Sequence, residues 1–369
     1  MRGRAGILRA LEGEPGVPAW ASGALAALSP AGWVYGAWMG LRRRLYEGGL
    51  LRESEAPVPV LSVGNLTLGG TGKTPAVAWA LERLLGAGRR PAVVSRGYGG
   101  ASEAVTVVGD GRGSVLPCPP AADEAVMLAR RFPQTPLLTG RDRPAAARRA
   151  AKEFGAELVL LDDGFQHLAL WRNLDLVLLR GECPFGNGRV FPAGALREPR
   201  GALRRADVVL MTGDVDFGGL RQAERRREVE AAAPRAQIFA GFLVPEVLLD
   251  GGGNAVGRPA DLAGAAVVAV SGIARPEGFS DALSRLGAVV RRHHAHPDHA
   301  AYTPAAAERL LASLHETGAD LIVTTEKDAV KLAPLLPGGP LRVLRVGFQI
   351  DRGDALAARL LEAASGGVR

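Results

Sequence analysis

Residues 69–74, GGTGKT, put three glycines, a lysine and two hydroxyl side chains where a triphosphate could be held. Glycines let the main chain approach phosphates with its N–H groups turned inward, and a helix starting there adds a favourable dipole. In that arrangement Gly69, Gly70, Thr71 and Gly72 form the cradle, Lys73 reaches the β- and γ-phosphates, and the Thr74 hydroxyl coordinates Mg²⁺. The usual pattern G-x-x-x-x-G-K-[ST] is incomplete, because Thr67 stands where its first glycine belongs. A glycine turn carrying an exposed lysine is the competing reading. Context favours a nucleotide: the apolar run VPVLSVG precedes the loop and the helical pattern TPAVAWALERLLGAG follows it.

A magnesium ion beside a triphosphate needs a carboxylate at the tip of a neighbouring strand. LVLLDDG supplies Asp162 and Asp163 after four apolar residues. Side chains alternate along a strand, so simple pleating cannot aim both the same way. One takes the metal; the other meets a second metal, a substrate hydroxyl or the backbone. A bare DDG could equally be a turn.

These groups need elements to hold them. From residue 58 the chain alternates apolar strands, among them PAVVS, LVLLD, LDLVLLR and ADVVLMT, with helical patterns such as DEAVMLARRF and RPAAARRAAKEFG. Strands apolar throughout and separated by helices predict a parallel sheet covered on both faces. The fold class is therefore α/β, a P-loop NTPase-like domain over 49–215. A second, smaller α/β domain is expected over 216–340, where the alternation resumes after the arginine-rich GLRQAERRREVEAAAP.

Of 369 residues, 45 are Lys or Arg and 38 Asp or Glu, a net charge of +7. This suits an anionic partner such as phosphate or acidic lipid. It is too diffuse for nucleic acid, and no basic stretch with interleaved aromatics or zinc-finger spacing occurs. The two cysteines, Cys118 and Cys183, are far apart and predict no disulfide. WASGALAALSPAGWVYGAWMGL, from Trp20 to Leu41, is uncharged, interrupted by Pro30 and followed by three arginines. Its aromatic residues and flanking charge predict one or two helices lying in a membrane surface, with the arginines on anionic head groups. A helical hairpin buried in the fold is the alternative. The N-terminal segment spans residues 1–48.

Several segments together resemble the tetraacyldisaccharide 4'-kinases of lipid A biosynthesis: SVGNLTLGGTGKTP, VVSRGYGG, DEAVMLARR, LLDDGFQH, FGNGRVFPAGALREP, SGIARPEGF, HPDHAAYT and VTTEKDAVKL. The family shares the departure at the loop entrance. The resemblance implies transfer of the γ-phosphoryl of ATP, with Mg²⁺, to the 4'-hydroxyl of a tetraacylated glucosamine disaccharide 1-phosphate, giving lipid IVA. The expected location is the cytoplasmic face of the bacterial inner membrane, peripheral or monotopic through the N-terminal segment, and a monomer is expected, although the sequence itself does not give the oligomeric state. The resemblance further implies a P-loop kinase domain with a smaller domain across a cleft, and residues 341–369 packing back on the kinase domain.

The resemblance also assigns roles. Asp123 matches the family's general base, which takes the acceptor's proton; by its position alone it could be a helix N-cap. The residue before it is Ala122, where the family usually has glycine. His299 matches the histidine that pairs with this aspartate, and on the domain boundaries above the pair would close by domain movement. His293, His294, His296 and His299 with Asp298 could alternatively bind zinc. Arg96, Arg143 and Arg197 match substrate-binding positions, where guanidinium forks suit phosphates. Glu198 would act near the metal, with Gln166 and His167 as supports. Glu326, Lys327 and Asp328 could line a cleft or form an internal ion pair. Two rival classes remain: a P-loop ATPase or GTPase switch, which often carries an N-K-x-D motif absent here, and a non-catalytic nucleotide-binding module on a membrane.

Overall fold

The computed structural model describes residues 2–13, 16–97, 104–213 and 220–367. The chain begins with α1 (Arg2–Glu12), α2 (Ala19–Ala27), α3 (Ser29–Glu47), β1 (Val60–Asn65), α4 (Lys73–Gly86) and β2 (Pro91–Ser95). It continues with β3 (Thr106–Asp110), α5 (Asp123–Arg131), β4 (Pro136–Thr139), α6 (Arg143–Phe154), β5 (Leu158–Asp162), β6 (Leu174–Arg180) and β7 (Val208–Thr212). Then come α7 (Leu220–Ala232), β8 (Gln237–Leu249), β9 (Ala255–Gly257), β10 (Ala266–Ser271), α8 (Pro276–Arg285) and β11 (Val289–Ala295). The last elements are α9 (Pro304–Thr317), β12 (Leu321–Thr325), α10 (Glu326–Leu332), β13 (Leu341–Ile350) and α11 (Gly353–Ser365).

The chain forms two compact units, and it passes between them four times. The first comprises residues 1–96, 142–243 and 348–369; the second comprises 97–141 and 244–347. Residues 97–141 thus belong with the later half of the sequence, although their composition resembles that of their neighbours.

The first unit is built on parallel strands in the order β2-β5-β1-β6-β7-β8. Its central strands are buried along their length, as the continuous apolar runs predict. One face carries Leu66, Phe165, Val177, Leu179 and Val209 against Leu203 and Val229. α4 is buried through Ala76, Val77, Ala80, Leu81 and Leu84, and it packs on β1, β5 and α11.

In the N-terminal segment α1 is followed by two helices, α2 and α3, that carry the uncharged stretch and are divided at Leu28, where Pro30 opens α3. Trp33 is 75% and Val34 73% exposed, with Trp20 and Trp38 more than half exposed, so the segment is not a buried hairpin. Among the described residues no helix is long and apolar enough to cross a membrane. The arginines differ from the expected arrangement. Arg42 donates to the Gln166 carbonyl at 3.1 Å and Arg43 to that of Gly201 at 3.2 Å, while Arg44 is exposed. Two of the three anchor the helix to the unit.

The second unit pairs β11-β10-β12-β13 in parallel. It adds two antiparallel features that the sequence reading lacks: the β3–β4 pair and β9 on the end of β8. Leu248, Val267, Leu283 and Val323 fill one face, and Val268, Val270, Leu310 and Ile322 fill the other.

Candidate active site

The phosphate loop joins β1 to α4 in the first unit. Its entrance explains the absent glycine. Thr67 forms an antiparallel bridge with Leu196, the Leu68 N–H donates to the Ala195 carbonyl at 2.7 Å, and the Arg197 N–H donates to the Leu66 carbonyl at 2.8 Å. A buried, β-branched residue in a paired stretch suits this position. The same ladder brings Arg197 beside the loop. At the other end, Gly72 adopts φ +82 as the N-cap of α4, and a Cβ there would lie 2.9 Å from the Phe348 ring. Glycine meets both demands. The turn between is fixed by the Asn65 amide, which donates to the Thr71 hydroxyl at 3.0 Å, and by the Thr212 hydroxyl, which donates to the Thr71 carbonyl at 3.0 Å. Lys73 and Thr74 open α4, both half-buried.

Asp162 ends β5 and is buried; Asp163 follows it in the left-handed region at φ +54. The pleat is therefore broken between the two. The Asp163 carboxylate accepts two bonds from the Arg197 guanidinium, at 2.8 and 2.9 Å, and lies 3.5 Å from the Lys73 ammonium. Burial works to raise its pKa, but the charges of Lys73, Arg197 and Arg143 outweigh it and hold the carboxyl below its usual range. Arg143, buried at the start of α6, donates to the Asp163 carbonyl at 2.8 Å. Glu198, 1% exposed, is clasped by Arg205 with both oxygens 3.1 Å from guanidinium nitrogens. Arg96 is exposed just beyond β2; Tyr98, Gly99 and Gly100 of its motif lie outside the described residues.

Gln166 donates to the Asn65 carbonyl at 2.8 Å, supporting the end of β1. His167 is pushed down to about 4 by burial and by the neighbouring charges of Arg143, Arg172 and Arg42, so it is neutral at pH 7.

The other cluster lies wholly in the second unit. Asp123 opens α5, 6% exposed, and its side chain accepts the Glu124 N–H at 2.9 Å. No side chain at residue 122 caps the helix, and the first-turn acid faces the helix dipole favourably. His299 Nδ1 lies 3.0 and 3.1 Å from the two Asp123 oxygens. An ionised carboxylate only accepts, so Nδ1 carries the hydrogen. Both residues belong to this unit, and the pairing requires no domain movement. His299 sits at φ +60, a conformation uncommon for a side chain of its size.

Sequence reasoning missed Lys331, whose ammonium lies 2.9 Å from Asp123 Oδ2. One turn earlier on α10, Lys327 bonds to Glu124 at 3.1 Å and Asp298 at 2.6 Å, and lies 3.4 Å from His299 Nε2. Their i, i+4 spacing in EKDAVKL was the available signal. Burial acts to raise the Asp123 pKa, yet the Lys331 bond and the charges of Lys327, Lys331 and His299 hold it below the usual carboxylate range.

Asp328 has a different task. Fully buried, it accepts from the Gly272 N–H, the Tyr302 hydroxyl and the Thr325 hydroxyl at 2.9, 3.0 and 2.6 Å. Glu326 pairs with Arg131 and Arg345. Both are internal. The zinc alternative fails on alternation: His293 bonds Ser271 and His294 bonds Ser313, from adjacent positions of β11. Among the described residues no group of three or more His, Cys, Asp or Glu could hold a metal.

Comparisons with known proteins identify the family of the chain as a whole. The tetraacyldisaccharide-1-P 4'-kinase family, LpxK, matches residues 24–365. The tetraacyldisaccharide 4'-kinase of Anaeromyxobacter dehalogenans (strain 2CP-C) is 43% identical over 363 residues, covering 97% of this chain and 93% of its own. That of Syntrophotalea carbinolica is 45% identical over 310 residues, covering 84% and 83%. The crystal structure of the "apo" form of LpxK from Aquifex aeolicus in complex with ATP superposes with a TM-score of 0.74 at 29% identity, covering 92% of this chain and 99% of that one. A family match over residues 24–365, with relatives at these identities over most of both chains, means that this chain belongs to the tetraacyldisaccharide-1-P 4'-kinase family.

Proposed function

We propose that the chain transfers the γ-phosphoryl group of ATP to the 4'-hydroxyl of an acylated glucosamine disaccharide 1-phosphate, forming lipid IVA in lipid A biosynthesis. The observation that carries this reading is the Asp123–His299 pair. An acceptor alcohol must lose a proton as it attacks, and a buried, ionised carboxylate bonded to a histidine is placed to take it.

The main-chain N–H groups of residues 69–74 and the Lys73 ammonium bind and orient the phosphates of ATP. The sugar oxygen forms a bond to the γ-phosphorus while the bond from that phosphorus to the β,γ-bridging oxygen breaks, and ADP leaves. Asp123 accepts the hydroxyl proton, with the imidazole of His299 fixing its orientation. Arg96, Arg143 and Arg197 are assigned to phosphate groups of the two substrates. Arg143 and Arg197 already hold Asp163 by its carbonyl and carboxylate, so they also set the shape of the turn after β5.

Magnesium fits the donor set. The Thr74 hydroxyl and the buried Asp162 carboxylate are hard oxygen ligands, and this ion is commonly held by one or two carboxylates together with substrate phosphates. When bound it would neutralise charge on the phosphate oxygens. Asp162, buried at the tip of β5, is assigned as the carboxylate ligand, with Asp163 and Glu198 assigned near the metal and each also held by arginine.

The N-terminal segment is assigned to a lipid surface, on the cytoplasmic face of the inner membrane, because Trp20, Trp33, Val34 and Trp38 on α2 and α3 are each exposed. Co-sedimentation with anionic vesicles tests it; equal partitioning of the chain with and without residues 1–48 would refute it. The central test is transfer of label from γ-labelled ATP with the purified lipid acceptor. Label in the glycolipid is expected, lost in Lys73→Ala and Asp123→Ala. Label solely in free phosphate, with the acceptor present, would make the chain a hydrolase.

A further inference from the structure

A carboxylate that must take a proton from an alcohol faces two opposite failures. Removed from water, it tends to be protonated already; gripped too widely by donors, it has no lone pair to offer. Asp123 is nearly sealed from solvent, so something must keep it charged, and the partners surrounding it are few enough to name. On α5 stands Glu124; on the segment after β11, Asp298 and His299; on α10, Lys327 and Lys331; in the loop before α5, Cys118. Of these, the Lys331 ammonium and the His299 imidazole are in direct contact with the carboxylate.

Lys331 is itself held in place. Its side chain is 11% exposed and runs over the Tyr302 ring at 5.8 Å, and the Tyr302 hydroxyl is tied to Asp328 at 3.0 Å. Asp328 in turn is locked by Thr325, the cap of α10. The buried residues of α10 thus fix the helix, and its i, i+4 lysines are presented to α5. Lys327 spends its bonds on Glu124 and Asp298 and approaches His299 on the ring edge opposite Asp123. The two lysines have separate tasks: one meets the base, the other meets the groups around it.

We propose that Lys331 is a positioning residue for phosphoryl transfer, holding the Asp123 carboxylate as an anion turned toward His299 Nδ1. The inference rests on the reading of Asp123 as the base. An adjacent opposite charge typically depresses a carboxyl by about 1–3 pH units, so its removal moves the acid limb of activity upward.

The experiment is the pH profile of kcat/KM for phosphotransfer by the full chain, with KM for ATP measured in parallel. In Lys331→Met the acid limb is expected about 1 unit or more higher than in the parent, with KM for ATP unchanged. Lys331→Arg, which keeps the charge, is expected to return the limb to the parent position. A purely structural lysine would lower activity evenly across pH and leave the limb where it was; that result overturns the proposal. If Lys331→Met does not fold, Lys331→Gln keeps a donor without the charge, and an unmoved limb in that variant overturns it equally. Asp123→Asn separates the two readings. An inactive Asp123→Asn with an unmoved limb in the Lys331 variants defeats this inference alone, whereas an active Asp123→Asn removes the base and the inference with it.

Discussion

The two halves of the chemistry are made of different materials. In the first unit the phosphate loop is shaped by main chain: a β-bridge at Thr67, a left-handed glycine at Gly72 and the first turn of α4. In the second the Asp123 cluster is shaped by charge: a carboxylate, an imidazole and two ammonium groups drawn from three separate segments. Two histidines sharpen the contrast. His167 sits among arginines and is neutral, while His299 sits on a carboxylate. A backbone site tolerates change in its neighbours but not in its dihedral angles; a charge site tolerates the reverse.

The largest effect that could break this comparison is in the charge site. Asp123→Asn keeps the shape and removes the base, and kcat is expected to fall by roughly 10²–10⁴-fold; a loss under tenfold would mean that the proton leaves by another route. Next is Lys73→Met, which removes the cation at the phosphates. A loss of about 10²–10³ in kcat/KM is expected, by analogy with removing one preorganised stabilising group.

His167 tests the arginine-rich surroundings. Its folded pKa, about 4, lies below the unfolded value of 6.5, so the unfolded chain takes up the proton first. Its contribution to stability is full above 6.5 and is lost as the pH falls toward about 4. Chemical denaturation across that range should show the decline, and His167→Phe should flatten it. Gly72→Ala probes the backbone directly. Forcing a Cβ into the left-handed region costs about 1–2 kcal/mol, and the added contact with Phe348 worsens it. Phe348→Ala in the same chain should recover part of the lost Tm but not all of it. The smallest effect belongs to Arg292–Glu316, a 2.7 Å pair with both side chains largely exposed. Its removal should change stability by about 0.2–1 kcal/mol, and a larger value would show that the second unit depends on surface charge as well as buried charge.

What the sequence revealed follows the same division. The strand–loop–helix around Lys73 and the strand ending in Asp162 were legible because each is local: apolar runs and glycines carry their own geometry. The break of α2 from α3 was legible from Pro30 for the same reason. Arg205 on Glu198 and Lys331 on Asp123 were not. The first pair is close in sequence, yet nothing in ALREPRGALRR says which arginine turns inward. The second pair is 208 residues apart, and a helix of seven residues offers little periodicity from which to read a buried face. The companionship of residues 97–141 with 244–347 was likewise invisible, since strands as short as β3 and β4 fit either unit equally well.

Four crossings between the units have a consequence for biosynthesis. α11, near the end of the chain, buries Leu356, Leu360, Ala363 and Ala364 and packs on α4 and β1, the helix and strand that flank the phosphate loop. A ribosome therefore delivers the loop early and its last covering helix some 280 residues later, by subtraction of Lys73 from Gly353. Until then the outer face of α4 has no permanent cover. Nascent chains stalled before residue 353 should be cut readily within α4 by protease, and the released full-length chain should resist.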